Sequence, residues 1–139
     1  PALTAEPGQG PSPFLHGFYP PERDAVGRWF RWTAGEAGFV ARGAPGMRLV
    51  ITAAAWGRAA EAAPVKISLA VFERALGERT LAPGGEERLE WTLPAEISPG
   101  AALFRLRVEP PFAEDQREAG RTGRTLGVAL LEIETQDSS

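Results

Sequence analysis

Cysteine is absent from the chain, which removes disulfides, zinc–cysteine sites and thiol catalysis. It does not fix the compartment, because exported proteins also lack cysteine. Histidine occurs once, as His16. A lone histidine with no second nitrogen ligand and no neighbouring nucleophile reads as a surface or capping residue. Ser12 is near it in sequence, but both fall at the end of a proline-rich stretch that cannot hold the geometry a serine nucleophile needs. A Ser–His triad is therefore excluded. Lysine also occurs once, as Lys66, and arginine supplies the remaining positive charge. At a net charge of −3 with no basic block, phosphate-tracking binding to nucleic acid is not expected. No apolar run approaches the ~20 residues needed to cross a bilayer. The longest candidates, 49–56 and 126–131, have strand length. No metal or other cofactor is implied, since one histidine and no cysteine leave only oxygen ligands, and no spaced acidic loop of EF-hand type is present.

What remains is the composition of one globular domain. Hydrophobic residues make up 43% of the 139 residues and charged residues 24%, enough for a core without metal or disulfide support. The chain begins at Pro1 with no initiator methionine and no signal-like segment, which reads as a piece of a longer protein. Residues 1–13 carry four prolines and no periodic pattern and are expected to be an extended, poorly ordered linker. The domain is expected over residues 14–135, and 136–139 as a disordered tail.

The most informative stretch runs from Gly17 to Arg42. Pro20 and Pro21 end an entry segment after Phe18-Tyr19, since neither can donate to a sheet ladder. Trp29 to Thr33 alternates, with Phe30 and Trp32 on one face and Trp29, Arg31 and Thr33 on the other. One aromatic face goes to the core, and the other either packs a second layer or offers a ligand surface. Ala34-Gly35 reads as a tight turn, and Glu36 to Arg42 as the returning arm of a hairpin. Further period-two segments follow at 47–56, 65–71, 78–81, 88–93, 103–108 and 126–134, with a turn expected at Leu76-Gly77. The alanine-rich 53–63 is interrupted by Gly57 and ended by Pro64, and reads as a loop. Residues 113–124 form a long charged loop of the kind that often carries function. Seven or eight strands with glycine and proline breaks, and no convincing helix, predict an all-β fold, an antiparallel β-sandwich of Greek-key or jelly-roll type.

Three motifs together resemble a family of β-sandwich domains appended to bacterial membrane glycosyltransferases and related envelope enzymes. They are the opening Gly17-Phe18-Tyr19-Pro20-Pro21-Glu22, the Phe30-Arg31-Trp32-Thr33 strand, and the closing Leu126-Gly127-Val128-Ala129 preceded by Arg124. The family's closing motif often carries an acidic residue two positions before the arginine, and Thr122 stands there in this chain. The resemblance implies a jelly-roll, galactose-binding-like fold, similar to carbohydrate-binding modules, on the extracytoplasmic side (periplasm or cell envelope) and without chemistry of its own.

Carbohydrate sites combine an aromatic plane with charged or amide hydrogen-bonding groups. Tyr19, Trp29, Trp32 and Trp56 supply planes, and Glu22 and Arg31 supply polar groups. With Arg124 from the closing motif, the candidate ligand-binding residues are Tyr19, Glu22, Trp29, Arg31 and Arg124. The competing reading is that all four tryptophans fill the core. Glu22, Asp24, Glu36, Glu114 and Asp115 all fall in or near loops, where solvated charge is the simpler account than a glycosidase pair. The function expected is thus a non-catalytic accessory module that recognises an oligosaccharide or glycolipid beside a glycosyltransferase domain. The alternative is an interaction domain that docks on a partner or catalytic domain without binding sugar.

Overall fold

The period-two pattern folds into strands throughout. The structure is a computed structural model that describes residues 2–8, 12–113 and 124–137, and no helix occurs among the described residues. Twelve strands follow in chain order: β1 (Ala2–Thr4), β2 (Phe14–Phe18), β3 (Glu22–Arg23), β4 (Trp29–Gly43), β5 (Arg48–Ala54), β6 (Val65–Val71), β7 (Arg74–Leu81), β8 (Glu86–Thr92), β9 (Gly100–Glu109), β10 (Phe112–Ala113), β11 (Thr125–Leu126) and β12 (Ala129–Gln136). The main strands are hydrogen-bonded in the order β7-β6-β9-β4-β12-β5-β8, all antiparallel, and the sheet curls into a sandwich. Its two ends approach at β7 and β8. There Trp91 Nε1 donates to the Gly77 carbonyl at 3.1 Å, Arg79 Nε donates to the Glu90 carbonyl at 2.9 Å, and the Arg79 guanidinium covers the Trp91 ring. Side chains thus hold a seam that no ladder closes.

β4 joins the two layers. Its start pairs with β12 (Arg31 with Leu130, Trp32 with Ala129) and its later part with β9 (Glu36 to Gly43 with Arg107 to Gly100). The expected hairpin at Ala34-Gly35 is therefore corrected to one continuous strand that changes sheets. A two-residue hairpin turn needs a positive φ, and Gly35 does not adopt one. Where β4 leaves β12, each would keep a bare edge. β2 covers the edge of β4, and β1 covers that of β12 (Ala2 to Thr4 with Glu134 to Glu132). Ala2–Thr4, expected in an extended linker, are thus an edge strand, and Ala5 behind them is fully buried.

The turn expected at Leu76-Gly77 is also displaced. The chain reverses at Phe72-Glu73, and Gly77 sits inside β7 at φ 111, in a pair whose register slips between Leu69 and Ala70. The closing strand is likewise interrupted, because Gly127-Val128 separates β11 from β12. There the Val128 N–H donates to the Thr33 hydroxyl at 3.1 Å and the Thr33 N–H to the Val128 carbonyl at 2.9 Å. A Cβ on Gly127 would stand 2.5 Å from the Ala34 carbonyl oxygen, so only glycine permits this approach.

Between the layers lies the main core, which includes Phe39 stacked on Phe104 at 5.1 Å, Trp91, Leu49, Ile67 and Leu106. A second, smaller cluster contains Phe30, Trp32, Ala54, Leu126, Ala129 and Leu131, with Tyr19, Trp56 and Phe112 packed on it. Of the two outcomes left open for the aromatic face of β4, the structure shows the second packed layer. Phe30 meets Trp32 and Trp56 edge-on, and Trp32 meets Phe112.

Candidate functional site

Three of the five residues expected to bind ligand come together. After Tyr19 donates its N–H to the Trp32 carbonyl at 2.9 Å, its hydroxyl reaches the Thr125 carbonyl at 3.0 Å, and the Arg124 guanidinium lies 5.0 Å over its ring. Arg124 Nη1 also donates to Glu22 Oε2 at 3.2 Å. The acid–arginine pair of the closing motif thus exists without an acid at Thr122, which lies outside the described residues: Glu22, 102 positions earlier, supplies the carboxylate. Tyr19, Glu22 and Arg124 fasten the opening motif to the closing one, and each spends its polar groups in doing so.

Trp29 and Arg31 do not join them. Arg23 stacks over Trp29 at 4.6 Å. Arg31 stacks over Phe14 at 4.6 Å and donates from Nε to the Ala5 carbonyl, and partial burial lowers its pKa. Arg31 thus works as a strut under the β1 and β2 edges, whereas Trp29 lines a separate recess with Thr4, Glu6 and Arg28. Arg58 is a residue that sequence reasoning missed, hidden in a loop with no pattern to mark it. It donates to the carbonyls of Pro110 (2.7 Å) and Gly127 (2.8 Å) and covers Phe112, and burial lowers its pKa.

The loop carboxylates are distributed rather than paired for chemistry. Asp24 and Glu86 both grip Arg28, at 2.8 Å. Desolvation works to raise the Asp24 pKa, but hydrogen bonds from the Arg28 and Val26 amides and the Arg28 guanidinium outweigh it and lower the value. The same guanidinium lowers Glu86 against a smaller desolvation effect. Glu114 and Asp115 lie outside the described residues, as does most of the long charged loop. Among the described residues no group of three His, Cys, Asp or Glu is placed to hold a metal ion.

A recess that sequence reasoning did not single out lies on the outer face of the β7-β6-β9-β4 layer, with a volume of about 380 Å³. Its floor is small, Ser68 and Ala70 of β6, and its walls are long and charged: Lys66, Glu78, Arg105, Arg107 and Glu109. Register sets Ser68 opposite Arg107 and Ala70 opposite Arg105, and Glu36 of β4 lies across from Arg107. Glu36 stands 3.7 Å from Arg105, 3.5 Å from Arg107 and 3.8 Å from His16, and Glu73 pairs with Arg105. The outward positions of 65–71 and 103–108 were visible as the polar half of each alternation. What could not be seen was that the two rows are neighbours.

A different cleft, of about 590 Å³, opens where β4 and β12 diverge and is mainly apolar, with Leu3, Val40, Ala41, Ala101 and Ile133 among its lining residues.

No family model and no curated protein matches the chain. Among solved structures, an acetyl xylan esterase (Est2A) from the rumen bacterium Butyrivibrio proteoclasticus is similar, at 13% identity and a TM-score of 0.37 over 86% of this chain. The match spans 27% of that protein's length.

Proposed function

We propose that the chain is a non-catalytic accessory module that recognises an oligosaccharide or glycolipid beside a bacterial membrane glycosyltransferase, on the extracytoplasmic side. The setting rests on the resemblance carried by the opening and closing motifs, which Glu22, Tyr19 and Arg124 draw together. The observation that carries recognition is the outer-face recess, with its small floor and mixed charged walls. Hydroxyl groups both donate and accept, and a wall that alternates guanidinium and carboxylate meets both needs with charge-assisted bonds. The recess is preferred to the Tyr19–Arg124 cluster as the binding surface because its charged groups are the more accessible: Arg107 and Glu36 are 55% and 42% exposed, against 19% and 25% for Arg124 and Glu22.

Titration of the isotope-labelled domain with cell-envelope oligosaccharides, followed by amide chemical shifts, tests this. Shifts confined to Ser68, Ala70, Arg105 and Arg107 are expected, and no shift anywhere at millimolar saccharide would refute the reading. The docking alternative is favoured by one feature, the apolar cleft at the β4–β12 fork. Under that reading the saccharides leave the spectrum unchanged and a catalytic domain of the same protein perturbs Val40, Ala101 and Ile133.

A further inference from the structure

The outward row of β6, Lys66-Ser68-Ala70, runs at its end into Phe72. That side chain is 57% exposed at the tip of the β6–β7 hairpin, and Leu103, 41% exposed, lies on β9 beside it. Phe72 and Glu73 form the two-residue turn with φ of 48 and 68, both in the left-handed region. Asparagine or glycine adopts that region at less strain, and an aromatic residue there is uncommon. The tip is nonetheless fixed. The Phe72 N–H donates to the Leu103 carbonyl at 2.9 Å, and Glu73 pairs with Arg105. The result is an aromatic side chain in solvent on a hydrogen-bonded backbone, at the apolar end of a polar recess.

We propose that Phe72 is the stacking platform of the recess, and that the ligand is an uncharged oligosaccharide lying along β6 from Phe72 to Lys66. This rests on the saccharide-recognition reading above and assigns the ligand's charge class and one end of its path. Six residues of strand give the path a length of roughly 20 Å, enough for several linked rings. One ring lays its C–H face on Phe72, with Leu103 completing the apolar contact. Further along, vicinal hydroxyls bridge Glu36 and Arg107. Those two groups stand 3.5 Å apart, beyond the usual hydrogen-bond range, so each keeps capacity for a hydroxyl that bridges the pair from the solvent side. The charge class follows from the balance of the walls. The walls themselves carry Lys66, Arg105 and Arg107 against Glu78 and Glu109, and Glu36 and Glu73 beside them pair with the two arginines, so the face has no cationic surplus to hold a carboxylate or phosphate.

An exposed aromatic kept where the backbone disfavours it predicts that stability and binding move in opposite directions on replacement. Phe72→Asn relieves the left-handed position and removes the platform. The whole chain and this variant are to be titrated with maltohexaose, cellohexaose and mannohexaose, and with hexagalacturonate as the charged counterpart. At least one neutral hexasaccharide is expected to bind and hexagalacturonate to bind more weakly. Phe72→Asn should melt at or above the wild-type temperature and bind about 3- to 10-fold more weakly, the worth of one stacked ring. Phe72→Trp should restore the affinity. If a neutral hexasaccharide binds and Arg107→Ala weakens it but Phe72→Asn does not, the platform is overturned while recognition at the recess stands. Tighter binding of hexagalacturonate overturns the charge class alone. No binding by any of the four, or shifts at Tyr19 and Arg124 instead of Ser68 and Arg107, overturns both the proposal and the reading beneath it.

Discussion

Replacing Trp32 by alanine separates a packed aromatic layer from a ligand surface. Trp32 is 9% exposed, meets Phe30 and Phe112 edge-on at 5.9 Å in each case, and sits outside the main core in the smaller cluster. An aromatic side chain of this size buries about 200 Å². At ~25 cal/mol per Å² that is worth up to ~5 kcal/mol, an upper bound because the unfolded chain already hides part of it. The edge-on contacts contribute on the order of 1 kcal/mol more, and partial collapse of the loop around Trp56 and Phe112 returns a similar amount. The expected loss is therefore about 4 kcal/mol. For a domain of this size that lowers the melting temperature by roughly 12 °C. Urea unfolding read by far-ultraviolet circular dichroism measures it without depending on the missing fluorophore. The midpoint should fall while the slope stays the same. A loss below about 1 kcal/mol would show that Trp32 gains little from burial, and would return the Phe30–Trp32 face to the list of ligand surfaces.

Thr33→Val removes the buried hydroxyl that accepts the Val128 N–H while keeping shape, and should cost roughly 1–3 kcal/mol in the same assay; an unchanged midpoint would mean water replaces it. Arg28→Met tests the Asp24–Arg28–Glu86 cluster through pH. Both folded-state carboxylate pKa values are lowered, so the stability this cluster adds is present in full above the ordinary glutamate value of 4.5 and is lost as pH falls through the folded values. The stability gap between wild type and variant should thus be constant from pH 7 to about pH 5 and shrink below that, and a gap independent of pH would refute the pairing.

Strand content was legible because burial on one face leaves a period of two in the residues themselves, as in Val65 to Val71. Which strand lies beside which leaves no such mark. Ala34-Gly35 has the composition of a turn, yet only the later arrival of Ala129 and Leu130 beside β4 shows that the strand passes straight through. Gly77 misled in the converse way: it marks an irregular position within β7, and the turn falls on Phe72-Glu73, residues with poor intrinsic preference for it. The opening and closing motifs carry three of the five candidate ligand-binding residues, Tyr19, Glu22 and Arg124, and these three meet. Their role as a fastening was invisible, since it depends on which partners their polar atoms find. The outer-face recess escaped notice because its rows, 66–70 and 105–109, are separated by more than thirty residues in the chain and each alone looks like an ordinary solvated face.

The passage of β4 from one layer to the other also governs how the molecule can be made. A strand that begins at Trp29 pairs early with β3, but its first half meets β12, the neighbour that places it in the second layer, only when Ala129 and Leu130 have been synthesised, and its second half meets β9 at Gly100 to Arg107. Pairings this distant in sequence form late and slowly, because the intervening chain must close as a loop before any contact rewards it. The β7-β6-β9-β4 layer has all its strands by Glu109, but its apolar face is covered only when β12 completes the other layer, so neither is stable by itself. The domain should emerge from the ribosome as an unfinished sheet and become native in a single cooperative step once β12 has left the ribosome. A chain stopped before residue 129 should therefore yield no stable half.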